Sequence, residues 1–212
     1  MPAAFGPRAT PIARRIVALA VAAAVIAPIV AMVWVRTPWA RGEHRTIVQP
    51  VPFSHPLHVT ALGIDCRYCH RDVERSTQAG MPSTTTCVAC HSAAMLATSV
   101  FAPVRHSLAT DRPIRWLRVT QLPDFVYFDH AMHVDHGVAC ETCHGRIDQM
   151  PVVSQAASLS MHWCVECHRN PGPALRPLAL VTAMGWNGRT GGDPLIREYR
   201  VRSLTNCSTC HR

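Results

Sequence analysis

Cysteine occurs ten times in this chain, and every copy belongs to a Cys-x-x-Cys-His pentapeptide. The five motifs are Cys66-Cys69-His70, Cys87-Cys90-His91, Cys140-Cys143-His144, Cys164-Cys167-His168 and Cys207-Cys210-His211. Two thiols at this spacing can each form a thioether to one haem vinyl group, and the adjacent histidine then lies under the same porphyrin to ligate its iron. The pattern predicts five covalently bound haem c groups on Cys66, Cys69, Cys87, Cys90, Cys140, Cys143, Cys164, Cys167, Cys207 and Cys210. Their proximal ligands are His70, His91, His144, His168 and His211. Zinc explains the pattern poorly, because a four-donor site would pair the motifs in twos, strand the fifth and give no reason for the histidine. Disulfides explain it no better, since Cys-x-x-Cys closes a very short loop and usually marks a redox dithiol.

The rest of the composition fits a haem-dense domain. With 212 residues, 17 prolines and 16% charged side chains, the chain offers little regular pattern for a large conventional core. Flat apolar porphyrins pinned to the backbone supply the missing surface, so a loop-rich chain can still bury enough area to fold. The expected fold is mostly irregular with short α-helices, a multihaem cytochrome c domain on a single N-terminal transmembrane helix.

A net charge of +8 ordinarily raises nucleic acid or an anionic membrane as a partner. Five haems, each with two propionates and one ferric core charge, would bring roughly five negative charges, so much of the excess is internal compensation. Nucleic acid is not expected as a partner. Arg67, Arg71, Arg146 and Arg169, in or beside the motifs, are suited to bidentate propionate contacts.

Residues 16–35, IVALAVAAAVIAPIVAMVWV, carry no charge and are long enough to cross a bilayer core as one helix, with Pro28 a tolerated kink. Arg8, Arg14 and Arg15 precede the run, and Trp34 and Trp39 lie where an aromatic interface belt belongs. The run is longer than a signal core, and RTPWARGEHR after it lacks a small-x-small cleavage site, so an uncleaved anchor is expected. Haem attachment to this motif is extracytoplasmic, which sets residues 1–15 in the cytoplasm and the haem domain on the periplasmic face. Residues 36–52 read as a linker.

An internal repeat organises the remainder. FSHPLHVTALGIDCRYCH from Phe53 matches FDHAMHVDHGVACETCH from Phe128, with one residue more before the first cysteine in the former. Each is followed by a second motif, giving a first two-haem unit at 53–127, a second at 128–175, and a C-terminal segment, 176–212, with the fifth haem. His55 and His58, and likewise His130 and His133, are spaced i, i+3 and project from one face of a helical turn. Two irons flanking such a turn could each take one as distal ligand. Phe53 and Phe128 are expected against the porphyrins or in an ordinary core. Five six-coordinate haems need five distal ligands and the doublets provide four. The remaining donors are His44, His106, His136, His162, Met81, Met150 and Met161, and a methionine would raise that haem's potential.

The segment LPDFVYFDHAMHVDHGVACETCHGRIDQMP, followed by SLSMHWCVECHRNP, resembles the pentahaem cytochrome c subunit of alternative complex III and, more broadly, the class III multihaem cytochromes. The resemblance spans the haem domain and, with the anchor, nearly the whole chain. It implies an electron-transfer subunit of a quinol-oxidising respiratory or photosynthetic complex, relaying electrons to a periplasmic acceptor or oxidase rather than acting as an enzyme alone. Implied partners are an iron-sulfur and molybdopterin-like subunit, integral quinol-binding membrane subunits and a small monohaem cytochrome c. Relatives often carry a histidine just before LPDFVYF where this chain has Thr120. The GRIDQMP stretch matches the family, which points to Met150 as the fifth distal ligand, with Met81 and Met161 as alternatives. A free-standing membrane-tethered quinol dehydrogenase shares the anchor and haem number. A multihaem reductase would need a five-coordinate haem and usually a variant motif. No phosphate-binding loop, zincin motif or serine-nucleophile elbow is present.

Overall fold

A computed structural model describes residues 9–188 and 192–211. It divides into two units, one ending at Glu43 and the other comprising 44–212.

The first unit is the helix α1, Ala9–Trp34. It begins seven residues before the apolar run and takes in Arg14 and Arg15, because Pro11 sits in the first turn where its missing N–H costs nothing. It runs through Pro28 without interruption. At about 1.5 Å per residue its 26 residues reach about 39 Å, beyond the roughly 30 Å of a hydrocarbon core. Its apolar side chains, from Ile12 to Val33, are exposed along the length. The helix ends in turns closed by side chains. Arg36 Nη1 donates to Met32 O at 2.7 Å, Thr37 Oγ1 to Trp34 O at 2.8 Å, and Arg41 pairs with Glu43 at 2.7 Å. Trp34 and Trp39 meet at 5.8 Å between ring centroids.

The expected linker at 36–52 is therefore not uniform. From His44 onward it is docked on the second unit: His44 N donates to Gln155 O at 2.8 Å, and Gln49 exchanges two 2.9 Å hydrogen bonds with the Leu117 backbone.

The second unit is built from short helices. These are α2 Cys66–Cys69, α3 Thr84–Val88, α4 Ala93–Leu96, α5 Ala102–Thr110, α6 His130–Val134, α7 Cys140–His144, α8 Met161–Arg169, α9 Asp193–Glu198 and α10 Cys207–Cys210. A π-helical turn spans Pro56–Ala61. Among the described residues no strand forms, only isolated antiparallel bridges at Thr46–Ser154, Val126–His211 and Val138–Leu175. Helix starts carry their own caps: Asp65 accepts from Arg67 N, Asp129 from Met132 N and Ser160 from Trp163 N.

Apolar burial is small. Among the described residues eight hydrophobic side chains are buried, and of these only Val73, Val134 and Val181, with Ala79 against them, form a cluster. That cluster draws on both halves of the repeat and on the C-terminal segment, so the three sequence segments close around one point. A core of this size cannot offset the ordering entropy of so long a chain, which is the situation in which covalently held apolar plates become part of the fold.

Candidate functional site

The two repeats are superimposable in their chemistry. In the first, the Phe53 ring meets His55 edge-on at 4.9 Å and stacks on His58 at 4.2 Å. In the second, Phe128 meets His130 edge-on at 4.7 Å and His133 at 4.6 Å with an interplanar angle of 30°. Each phenylalanine thus wedges its own histidine doublet, fixing the two imidazoles at different angles. The extra residue of the first repeat is taken up in the π-helical turn, where Leu62 N bonds to Leu57 O instead of to the carbonyl one residue later. The doublets keep their geometry and the insertion is absorbed between them and Cys66.

Each doublet histidine faces a motif histidine. Ring centroids stand 6.1 Å apart for His58 and His91, 6.4 Å for His130 and His144, and 6.1 Å for His133 and His168. Two imidazoles bound through nitrogen to opposite faces of one metal, each about 2 Å away, would place ring centres about 6.3 Å apart. Burial first, then nearby His70 and His58, lowers the His55 pKa to about 4, so His70 is a close neighbour of His55. The order is the same in both repeats: the first histidine of a doublet faces the first motif of its unit, the second faces the second motif.

Burial favours the neutral form of His55, His133 and His144. Burial, followed by His130, His70 and His55, lowers His144 to about 4, and burial lowers His133 as well. A carbonyl oxygen only accepts, so a bond from Nδ1 places the hydrogen there and leaves the Nε2 lone pair free. Such bonds hold His58 to Ser54 O at 2.8 Å, His70 to Gly80 O at 2.8 Å, His130 to Thr77 O at 2.9 Å and His133 to Asp129 O at 2.6 Å. His55 Nδ1 and His91 Nδ1 are buried without a hydrogen-bond partner. Among the described residues no three His, Cys, Asp or Glu side chains converge as a bare metal ion would require. Haem iron takes its equatorial donors from the porphyrin and asks the chain only for axial ones, so paired histidines beside paired thiols fit haem.

The motif helices are fastened by charge. Arg176, 8% exposed, donates to Ala183 O at 2.6 Å and pairs with Glu141, the residue after Cys140. Glu141 also accepts from Gly185 N at 2.5 Å, and the Arg176 guanidinium lies 5.0 Å from the Trp186 ring centroid. Nothing in the motif pattern announced this pair. Among the motif arginines, Arg67 pairs with Asp65 and Glu74, Arg146 with Asp148, and Arg169 with Glu166. Acidic neighbours two to seven residues away occupy these guanidiniums. Arg71 lies over the Tyr68 ring at 5.8 Å.

The fifth motif is set differently. Tyr127 N donates to Cys210 O at 2.7 Å, Val126 bridges to His211, and the Phe125 ring stacks on His211 at 5.9 Å. Met150 lies beside the third motif, its Sδ 4.0 Å from Ser154 Oγ and its Cε next to Gly145, and no described contact joins it to His211. Met81 and Met161 are 56% and 70% exposed. His44, His106 and His162 are exposed, whereas His136 carries the same backbone bond as His58, His130 and His133, its Nδ1 bonded to Met132 O at 2.6 Å.

Comparison with known proteins gives two findings. The model of the family described as cytochrome c7 and related cytochrome c matches residues 51–103 and 126–212, which hold all five motifs and both doublets. The multihaem cytochrome c subunit of a menaquinone reductase from Nitratidesulfovibrio vulgaris is 37% identical over 97 residues. That alignment covers 45% of this chain and 45% of the relative.

Proposed function

Because the chain belongs to the family of cytochrome c7 and related cytochromes c, with haem c covalently bound, we propose that it is the multihaem electron-relay subunit of a membrane complex that exchanges electrons with the quinone pool. The observation that carries this reading is the set of histidine pairs at 6.1–6.4 Å, each beside a motif. Closed on both faces, such sites suit outer-sphere electron transfer rather than substrate binding.

Bound haem supplies the one-electron chemistry. Five cysteine pairs would hold the haems, and His55 with His70, His58 with His91, His130 with His144, and His133 with His168 would supply the iron ligands. Backbone carbonyls at Ser54, Gly80, Thr77 and Asp129 fix the ring orientations and increase ligand basicity. His211 takes its partner from Met150, the family's match, or from His136, whose Nε2 is left free. Helix α1 anchors the chain in the cytoplasmic membrane, with the haem domain on the extracytoplasmic face. The neighbours proposed are an iron-sulfur and molybdopterin-like subunit, integral quinol-binding subunits and a monohaem cytochrome c, as in alternative complex III.

Electrons run from quinol toward an extracytoplasmic acceptor in this reading. A second reading reverses the direction, and the name of the Nitratidesulfovibrio relative favours it. Extraction of native membranes in mild detergent tests the assignment. Co-migration with polytopic membrane proteins and an iron-sulfur subunit is expected, whereas migration as one or two chains alone would indicate a free-standing quinol dehydrogenase. Mixing the isolated complex with quinol, and separately with quinone and a low-potential donor, sets the direction. Stoichiometric carbon monoxide binding to the reduced protein would overturn the closed-site reading.

A further inference from the structure

The five motifs follow one another along the chain, yet their neighbours in space are in a different order. The first and second are joined through one turn, because His55 and His58 share the Phe53 wedge and face His70 and His91. The Cys69 thiol correspondingly lies near those of Cys87 and Cys90. The third and fourth are joined in the same way through His130, Phe128 and His133, and the Cys143 thiol lies near Cys164 and Cys167.

The two units meet at the first and third motifs. Two consecutive residues clasp both helix starts: Val181 O accepts from Cys140 N at 2.9 Å, and Thr182 Oγ1 donates to Asp65 Oδ2 at 2.8 Å. Cys66 and Cys140 lie within hydrogen-bonding contact, and His144, which faces His130, has His70 and His55 near it. Thr60 Oγ1 donating to Asp148 O at 2.9 Å ties the first doublet's turn to the residues after the third motif. The fifth motif meets the fourth beside Phe128: Tyr127 N donates to Cys210 O at 2.7 Å, the adjacent Phe128 ring packs on His133, which faces His168, and Cys164 lies near Cys210.

We propose that the five motifs stand in single file in the order second, first, third, fourth, fifth, so that the Cys87–His91 and Cys207–His211 motifs form its two ends. An independent observation agrees. Cys90 and Cys207 are the exposed cysteines, one at each end, while the cysteines of the three inner motifs are all partly covered. The inference rests on the relay reading and gives it a path. Redox partners meet the chain at its second and fifth motifs, and each of the inner three exchanges electrons only with its neighbours in the file.

Anomalous scattering at the iron edge from the haem-loaded full-length chain tests the order without any assay of turnover. Five iron peaks are expected, with nearest neighbours 2–1, 1–3, 3–4 and 4–5. Five peaks with the second next to the third, or with the fifth next to the first, would overturn the file and leave the relay reading in place. Fewer than five peaks would overturn both.

Discussion

His130 Nδ1 lies 2.9 Å from the carbonyl oxygen of Thr77, which belongs to the other half of the repeat. The backbone repeats the contact nearby, with Ala131 N on Ser76 O at 3.2 Å. One unit therefore orients an imidazole that we propose as a ligand in the other. His130→Ala is expected to convert one haem per chain, the one on His144, from low-spin to high-spin and to admit one equivalent of carbon monoxide after reduction. Electron paramagnetic resonance and carbon monoxide titration read this directly, and an unchanged low-spin count would refute the pairing.

Gly80 has φ +74°, and its carbonyl holds His70. A Cβ there would stand 2.6 Å from Asp72 Oδ2, the movable end of a side chain, so the main cost of Gly80→Ala is the left-handed backbone. A loss of about 1 kcal/mol is expected. Chemical denaturation measures it, and a potential shift confined to the haem on His70 would accompany it.

Among the described residues Arg176 and Glu141 form the most enclosed ion pair, with side chains 10% and 16% exposed. Arg176→Met leaves Glu141 with only the Gly185 N–H and is expected to cost about 3–5 kcal/mol. Adding Glu141→Gln should recover part of that loss. Thermal unfolding of the two variants checks both statements, and equal melting temperatures for wild type and Arg176→Met would contradict them.

Asp65 is held at about 2, below its usual 3.8, chiefly by the Arg67 side chain, with the Arg67 N–H and Thr182 hydroxyl adding to it. Because the folded value is depressed, its contribution is fully present above about pH 3.8 and is lost as pH falls through about 2. Asp65→Asn should flatten the stability profile in that window and leave it unchanged at neutral pH apart from a constant offset. Denaturation across pH 2–6 separates the two slopes.

Much of the site could be read from the residues. Five motifs, two doublets and the repeat are local patterns, and local patterns are what spacing reports. The partner of each doublet histidine was not readable, because His58 meets His91 only after the chain has turned back through α3. The Val181–Thr182 clasp lies in a stretch without motif, and its use of Cys140 N and Asp65 is a long-range event. The ion pairs of Arg67 with Asp65 and of Arg146 with Asp148 are local, each acid lying two residues from its arginine. The α1 start moved to Ala9 because helix propagation does not stop at the edge of an apolar run.

Each doublet precedes, in chain order, both of the motifs whose histidines it faces. As the polypeptide grows from its N-terminus, His55 and His58 are already present when Cys66 and Cys87 arrive, and His130 and His133 when Cys140 and Cys164 do. Every one of these sites can therefore close as soon as its own cysteines are joined to the porphyrin. Maturation can proceed stepwise from the first repeat to the last, without a half-made site waiting on residues not yet synthesised.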